Sequence, residues 1–226
     1  MIMEKEGAAM SEWIAVMAGT PVDSEMGVDV LAQHGIEGRA YAMAADPLAQ
    51  TAFQHQPQAE KTAVVRETLL EIRTAGCKRV LVYCNSLAGA VDFAPLAEET
   101  GLFIVTPLDA YRTLAQRYTR LGVIAANAQG LSGIERTLYA ANPGLEMLGT
   151  TLLPVVSEIE AGEAPAAIVT RYRLKELGDW AESCGMEALL LGCTHFPYLK
   201  EALAEVIQLP LIDPADEMVR QLVAMG

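Results

Sequence analysis

A formal charge of −13 over 226 residues sets the surface against polyanions, so nucleic acid and anionic membranes are excluded as partners. The 52% hydrophobic content allows a sizeable core, no apolar run approaches the ~20 residues of a bilayer span, and residues 1–6 lack the basic start and apolar centre of a secretion signal. The chain therefore reads as cytoplasmic, its four cysteines as reduced thiols, and a small anionic ligand as compatible, because such a ligand feels local N–H groups more than net charge.

The elements follow in alternation. Residues before Ser11 read as a loose arm. A strand is expected over 13–18, a Gly/Pro-broken loop over 19–24, and a helix capped by Asp23 or Ser24 that carries Met26, Val30 and Leu31 and ends at His34-Gly35. A weaker strand covers 39–44. Residues 46–57 are Gln-rich without a clear period and read as a loop facing the site. An amphipathic helix spans 61–75, with Val64, Val65, Leu69 and Ile72 on one side. A strand over 79–83, a helix over 86–99 and a strand over 102–105 lead to a crossing point at Thr106-Pro107. After a helix over 108–118 the pattern restarts: strand 121–126, helix 129–139, strand 145–148, turn and short helix 154–161, long helix 166–184, strand 188–191, helix 197–206, strand 209–212 and helix 214–225.

This alternation predicts an α/β fold with parallel sheets and helices on both faces. One stretch occurs twice, as Gly76-Cys77-Lys78-Arg79-Val80-Leu81-Val82-Tyr83-Cys84-Asn85-Ser86 and as Gly185-Met186-Glu187-Ala188-Leu189-Leu190-Leu191-Gly192-Cys193-Thr194-His195. In each copy a helix-closing glycine precedes a buried apolar strand, then a cysteine and a small polar residue at a helix start. The repetition predicts two pseudo-symmetric lobes, one of residues 11–107 plus 209–226 and one of 108–208. Cys84 and Cys193 then face each other across the cleft, at carboxyl ends of strands, where open α/β sheets hold ligands.

Cys77 opens a strand and Cys184 precedes a helix-ending glycine, so both read as packing residues. His195, two residues beyond Cys193, is placed to tune that thiol or shuttle its proton; His34 and His55 have no companion motif and read as surface residues. Metal is not expected, since Cys193 and His195 are awkwardly spaced for a structural site and no Cys-x-x-Cys pair exists. The glycines form neither G-x-G-x-x-G nor a P-loop. Asp23 is placed to approach Cys84, and Ser24 to touch the ligand.

Residues 190–199, Leu-Leu-Gly-Cys-Thr-His-Phe-Pro-Tyr-Leu, resemble the signature around the second catalytic cysteine of glutamate racemases. Residues 82–88, Val-Tyr-Cys-Asn-Ser-Leu-Ala, resemble the segment around the first. Val22-Asp23-Ser24-Glu25-Met26-Gly27 is similar to the family's N-terminal Asp-Ser segment, 121–124 to the strand that opens the second lobe and 211–214 to the closing strand. The resemblance implies the aspartate/glutamate racemase superfamily: two flavodoxin-like lobes, an active site between them, no cofactor, and Cys84 and Cys193 as acid and base. Asp23 and His195 become the supporting acid and imidazole. Ser24, Asn85, Ser86 and Thr194 are the implied substrate-binding residues, with Asn127 in the loop that replaces the family's Gly-Thr. The implied substrate is a small anionic amino acid, glutamate or aspartate; by the resemblance Cys84 serves the D-form and Cys193 the L-form. A homodimer is left open.

Three departures stand out. Residues 19–22 are extra ahead of Asp23-Ser24, which leaves Ala18-Gly19-Thr20 as the other candidate for the first site loop. The family's substrate-contacting Pro-Tyr-Gly is absent from 41–53. The chain is also shorter than most glutamate racemases. Other readings on the same residues are a hydantoin racemase or maleate isomerase, a thiol acyl-transfer enzyme built on Cys193 and His195, and a non-catalytic amino-acid-binding protein.

Overall fold

Ile14–Ala18 is buried at all five positions, the pattern of a strand covered on both faces of a parallel sheet. In the computed structural model, which describes residues 13–224, this strand (β1) is followed by α1 (Pro21–Gln33), β2 (Gly38–Ala42), α2 (Pro47–Gln54), α3 (Gln58–Thr74), β3 (Arg79–Val82), α4 (Asn85–Ala90), α5 (Phe93–Thr100), β4 (Phe103–Val105) and α6 (Pro107–Leu114). The second half runs β5 (Arg120–Ala125), α7 (Ala128–Ala141), β6 (Glu146–Thr151), α8 (Leu153–Glu160), α9 (Pro165–Arg171), α10 (Leu174–Ser183), β7 (Ala188–Gly192), α11 (Lys200–Ala204), β8 (Leu211–Ile212) and α12 (Ala215–Val223). The expected arm before Ser11 lies outside the described residues.

The described strands form two four-stranded sheets of matching order, β2-β1-β3-β4 and β6-β5-β7-β8, with parallel pairing throughout. Each sheet grows first to one side of its opening strand and then to the other. The connections leaving β1 and β3 therefore diverge, as do those leaving β5 and β7, and a crevice opens at the carboxyl ends. Both cysteines follow strands at these switch points. Gly76 and Gly185, at φ 88° and 77°, close the preceding helices in the left-handed region that the repeat demands.

Five expectations need correction. Residues 46–57 contain a helix rather than a loop, because Asp46 caps it by accepting from the Ala49 N–H at 2.8 Å and Pro47 supplies the first helical φ. The helix expected over 86–99 breaks at Val91, whose extended backbone hands over to an Asp92 cap on α5. The helix expected over 166–184 breaks at Arg173, the sole described non-glycine residue with positive φ. Thr20, rather than Asp23 or Ser24, caps α1, accepting from the Asp23 N–H at 3.2 Å.

The fifth correction concerns the lobes. The strand expected over 209–212 does not return to the first sheet. β8 pairs with β7, Leu189 opposite Leu211 and Leu190 opposite Ile212. Only the helix crosses back: Met218, Val219 and Leu222 of α12 join the first core, with Trp13, Leu81 and Val105. The short strand satisfies its backbone on the open side of β7, and the amphipathic helix buries its stripe where the first sheet offers apolar surface.

The lobes touch closely where α4 crosses α7. A Cβ on Gly133 would lie 2.9 Å from the Gly89 Cα, so the crossing admits no side chain on that line.

Candidate active site

Cys84 sits directly after β3 as the N-cap of α4, and Cys193 directly after β7. Both thiols are buried, at 3% and 5% exposure, and both line one cavity between the lobes. Asp23, Asn85, Ser86, Asn127, Thr194 and His195 line the same cavity. Its free volume is about 20 Å³, room for roughly one water. The two lobes approach closely around the cavity.

Asp23 organises the Cys193 side. Its Oδ1 accepts from the Thr194 hydroxyl at 2.7 Å and lies 3.6 Å from His195 Nδ1, while Oδ2 accepts from the Gly19 N–H at 3.3 Å. The His195 Nδ1 is also 3.7 Å from the Cys193 sulfur, and Nε2 meets Glu160 Oε1 at 2.9 Å. The same Glu160 oxygen accepts from the Thr20 hydroxyl at 2.6 Å. A first-lobe cap residue and a second-lobe imidazole thus share one carboxylate.

These contacts set the proton affinities. Burial works to lower the His195 pKa, but the Asp23 charge and the bonds to Cys193 and Glu160 outweigh it, and the imidazole is held well above its ordinary value. Burial would raise the Glu160 carboxyl; the His195 and Thr20 bonds bring it below the usual range. Asp23 is raised by burial against the pull of His195. Burial, and then the Asp23 charge, push the Cys84 thiol up, so Cys84 rests protonated.

On the Cys84 side two glutamines of α2 reach in. Gln50 Nε2 donates to Cys84 Sγ and to Ser86 Oγ, each at 3.1 Å. Gln54 Nε2 donates to Ser86 Oγ at 2.8 Å, and its Oε1 accepts from Asn127 Nδ2 at 3.0 Å. With two N–H groups aimed at its oxygen, Ser86 is left to direct its own hydrogen to Cys84 Sγ, 3.4 Å away. Asn127 also caps α7, accepting from the Gly130 N–H at 2.9 Å. Asn85 Oδ1 accepts from the Tyr111 hydroxyl at 2.5 Å.

Of the residues given a catalytic or substrate-binding role in the sequence, Ser24 alone stays outside the cavity lining. It is fully buried and its hydroxyl donates back to the Thr20 carbonyl at 2.8 Å. Thr20, the cap of α1, does not line the cavity either, but its hydroxyl joins the network through Glu160, while Asp23 reaches the cavity from the first turn of α1. Sequence reasoning missed Glu160, Gln50, Gln54 and Tyr111. The glutamines had a readable signal, an Asp-Pro helix start followed by Gln at i and i+4 on one face; Glu160 and Tyr111 had none. Cys77 and Cys184 lie away from the cavity, Cys77 bonded to the Arg79 carbonyl at 3.0 Å and Cys184 ending α10. His34 and His55 are at the surface. Among the described residues no group of three or more His, Cys, Asp or Glu is disposed to hold a metal.

Residues 106–222 match the family described as Asp/Glu/Hydantoin racemase. A glutamate racemase of Limosilactobacillus reuteri is 30% identical over 149 residues, covering 64% of this chain and 55% of that protein. One of Gloeobacter violaceus is 29% identical over 182 residues, 78% of this chain and 67% of that protein. Among solved structures, the glutamate racemase of Francisella tularensis in complex with D-glutamate superposes with a TM-score of 0.73 at 20% identity, over 95% of this chain and 80% of that one. An aspartate racemase homologue from Pyrococcus horikoshii gives 0.71 at 16% identity, over 95% and 98%. The match spans little more than half the length of the Limosilactobacillus relative, and at such identities the structural likeness speaks to the fold alone.

Proposed function

The chain belongs to the Asp/Glu/Hydantoin racemase family, and we propose that it interconverts the D and L forms of glutamate or aspartate without a cofactor, with Cys84 and Cys193 as the two acid–base groups. The observation that carries this reading is the placement of two buried thiols, at equivalent positions of two lobes, on one shared cavity.

Racemisation removes a proton from one face of Cα and delivers another to the opposite face. A thiolate on one side and a thiol on the other perform both steps and exchange roles in the reverse direction. Cys84, resting protonated, is the donor for one direction. Cys193 has the His195 imidazole beside it, and that ring is clamped between Asp23 and Glu160, which suits it to pass a proton to or from the sulfur.

The α-proton is a weak acid, so charge developing toward the carboxylate needs preorganised donors. Among the described residues no Lys or Arg lines the cavity. Neutral groups supply the donors: the Asn85 amide and the N–H groups opening α7, the Thr194 hydroxyl being committed to Asp23. A cavity this small keeps bulk water away and strengthens each of these bonds.

The test is a pair of single variants. After exhaustive chelation and without pyridoxal phosphate, the purified protein should racemise glutamate or aspartate, and Cys84→Ser and Cys193→Ser should each abolish it. With a substrate that carries a leaving group on Cβ, only abstraction is needed. Each variant should then eliminate from one enantiomer and spare the other, with opposite preference. Full racemase activity in either variant would defeat the two-thiol mechanism, and activity that vanishes with chelator and returns with metal would defeat its independence of cofactor.

A further inference from the structure

Asn85 is more than nine-tenths buried and lines the cavity, yet its Nδ2 has no hydrogen-bond partner. A buried amide donor left unpaired costs about 1–3 kcal/mol, so its persistence calls for an acceptor that the protein does not itself provide. The other end of the same amide is held firmly, since its Oδ1 takes the Tyr111 hydroxyl at 2.5 Å. That bond decides which end of Asn85 is free.

Tyr111 is fully buried on α6, the helix that joins the lobes. Its ring packs in the second core with Leu121, Val123 and Ile134, while its hydroxyl reaches the first lobe. Burial keeps the phenol well above its ordinary pKa, so it remains a donor at any working pH. A residue rooted in one lobe thus sets the orientation of a donor in the other, beside Cys84.

We propose that Tyr111 is a positioning residue: by holding the Asn85 carbonyl oxygen from the second core, it presents the unpaired Asn85 N–H pair to a carboxylate oxygen of the substrate. This rests on the racemase reading for the identity of the substrate. The binding step itself requires only that the ligand bring a carboxylate. Because α6 joins the lobes, the correct donor orientation is available only when they are correctly docked.

Glutarate, which has both carboxylates and no amine, is the probe for calorimetry on the full chain. Tyr111→Phe removes one oxygen and should weaken glutarate binding about tenfold, the worth of one hydrogen bond to a charged group. The KM for glutamate should rise by a similar factor while kcat changes less than about threefold. Asn85→Ala should weaken glutarate as well, and adding Tyr111→Phe to it should do nothing more, since the two act as one unit. Asn85→Asp keeps the acceptor for Tyr111 but puts an anion where the donor was, and should abolish glutarate binding. Wild-type affinity in Tyr111→Phe, additive losses in the double variant, undiminished binding by Asn85→Asp, or no glutarate binding by the wild type would each overturn the inference. A wild type that binds glutarate, with the dependence on Tyr111 just described, but racemises neither acid overturns the proposed reaction and upholds the donor's role.

Discussion

Gly89 and Gly133 meet back to back where the two lobes cross, with the place of a Gly133 Cβ only 2.9 Å from the Gly89 Cα. Both lie on helices that begin beside the cavity, α4 at Cys84 and α7 at Asn127. The distance between lobes is thus set by backbone against backbone, and no flexible side chain is available to absorb an intrusion.

Gly133→Ala should therefore pry the lobes apart by a few tenths of an ångström and misalign the two thiols. We expect kcat to fall about tenfold or more, since misplacement on the order of 1 Å costs roughly a hundredfold, with the protein still folded. Gly144→Ala, whose Cβ would meet nothing nearer than 3.6 Å, is the control and should keep its activity. Steady-state kinetics on the two proteins decides the point; equal turnover would show that the crossing does not govern the cleft.

The His195 clamp makes a stability prediction with a definite sign. Its folded pKa is raised above 6.5, so its contribution is complete below that value and is lost as pH climbs through the folded value. Each unit of the shift is worth about 1.4 kcal/mol. Glu160, lowered from 4.5, has the opposite sign and loses its contribution only as the solution turns acid. Asp23, raised from 3.8 by burial, shares the sign of His195 and is common to the wild type and the His195 variant. The melting temperature of the wild type should therefore decline above neutral pH more steeply than that of His195→Gln. Parallel curves for the two would contradict the clamp.

Gln54 bridges Ser86 of the first lobe and Asn127 of the second. Gln54→Leu fills the same space but leaves both partners without it. A buried bond lost with its partner stranded costs about 1–3 kcal/mol, so the closed form should become less populated and kcat/KM should fall roughly tenfold. Lys61 bonds the backbone oxygen of residue 54, not its side chain, so the helix should survive, as circular dichroism would verify. Unchanged kcat/KM would show that the bridge does not hold the lobes closed.

Cys77→Ser and Cys184→Ser should both retain near-normal turnover. Cys77 bonds the Arg79 carbonyl at the start of a core strand, and a serine hydroxyl can make that bond too. Cys184 is half-buried at the end of α10. A large loss of rate in either, with the fold intact, would mean that a thiol outside the cleft takes part.

Much of the site was legible because its signals are local. A helix-closing glycine, an all-apolar strand and a cysteine at the next helix start are contiguous in the chain, and their repetition put Cys84 and Cys193 at equivalent positions before any contact was known. His195 and Thr194 came with them as immediate neighbours of Cys193. Asp23 was legible as a candidate beside Cys84, which it does approach, but its bond to Thr194, 171 positions away, was not.

What the chain determined by itself is thus the alternation of strands and helices, the two-lobed repeat and the strand-end cysteines, all of which rest on periodicity and backbone chemistry within about a dozen residues. Tertiary structure alone decided which lobe takes β8, that Thr20 rather than Ser24 bonds Glu160, and that Glu160 and Tyr111 reach across from the far lobe. Those choices depend on which buried polar group finds a partner once the lobes close, and a hydroxyl or carboxylate on a helix carries no local mark of the distant group it will satisfy.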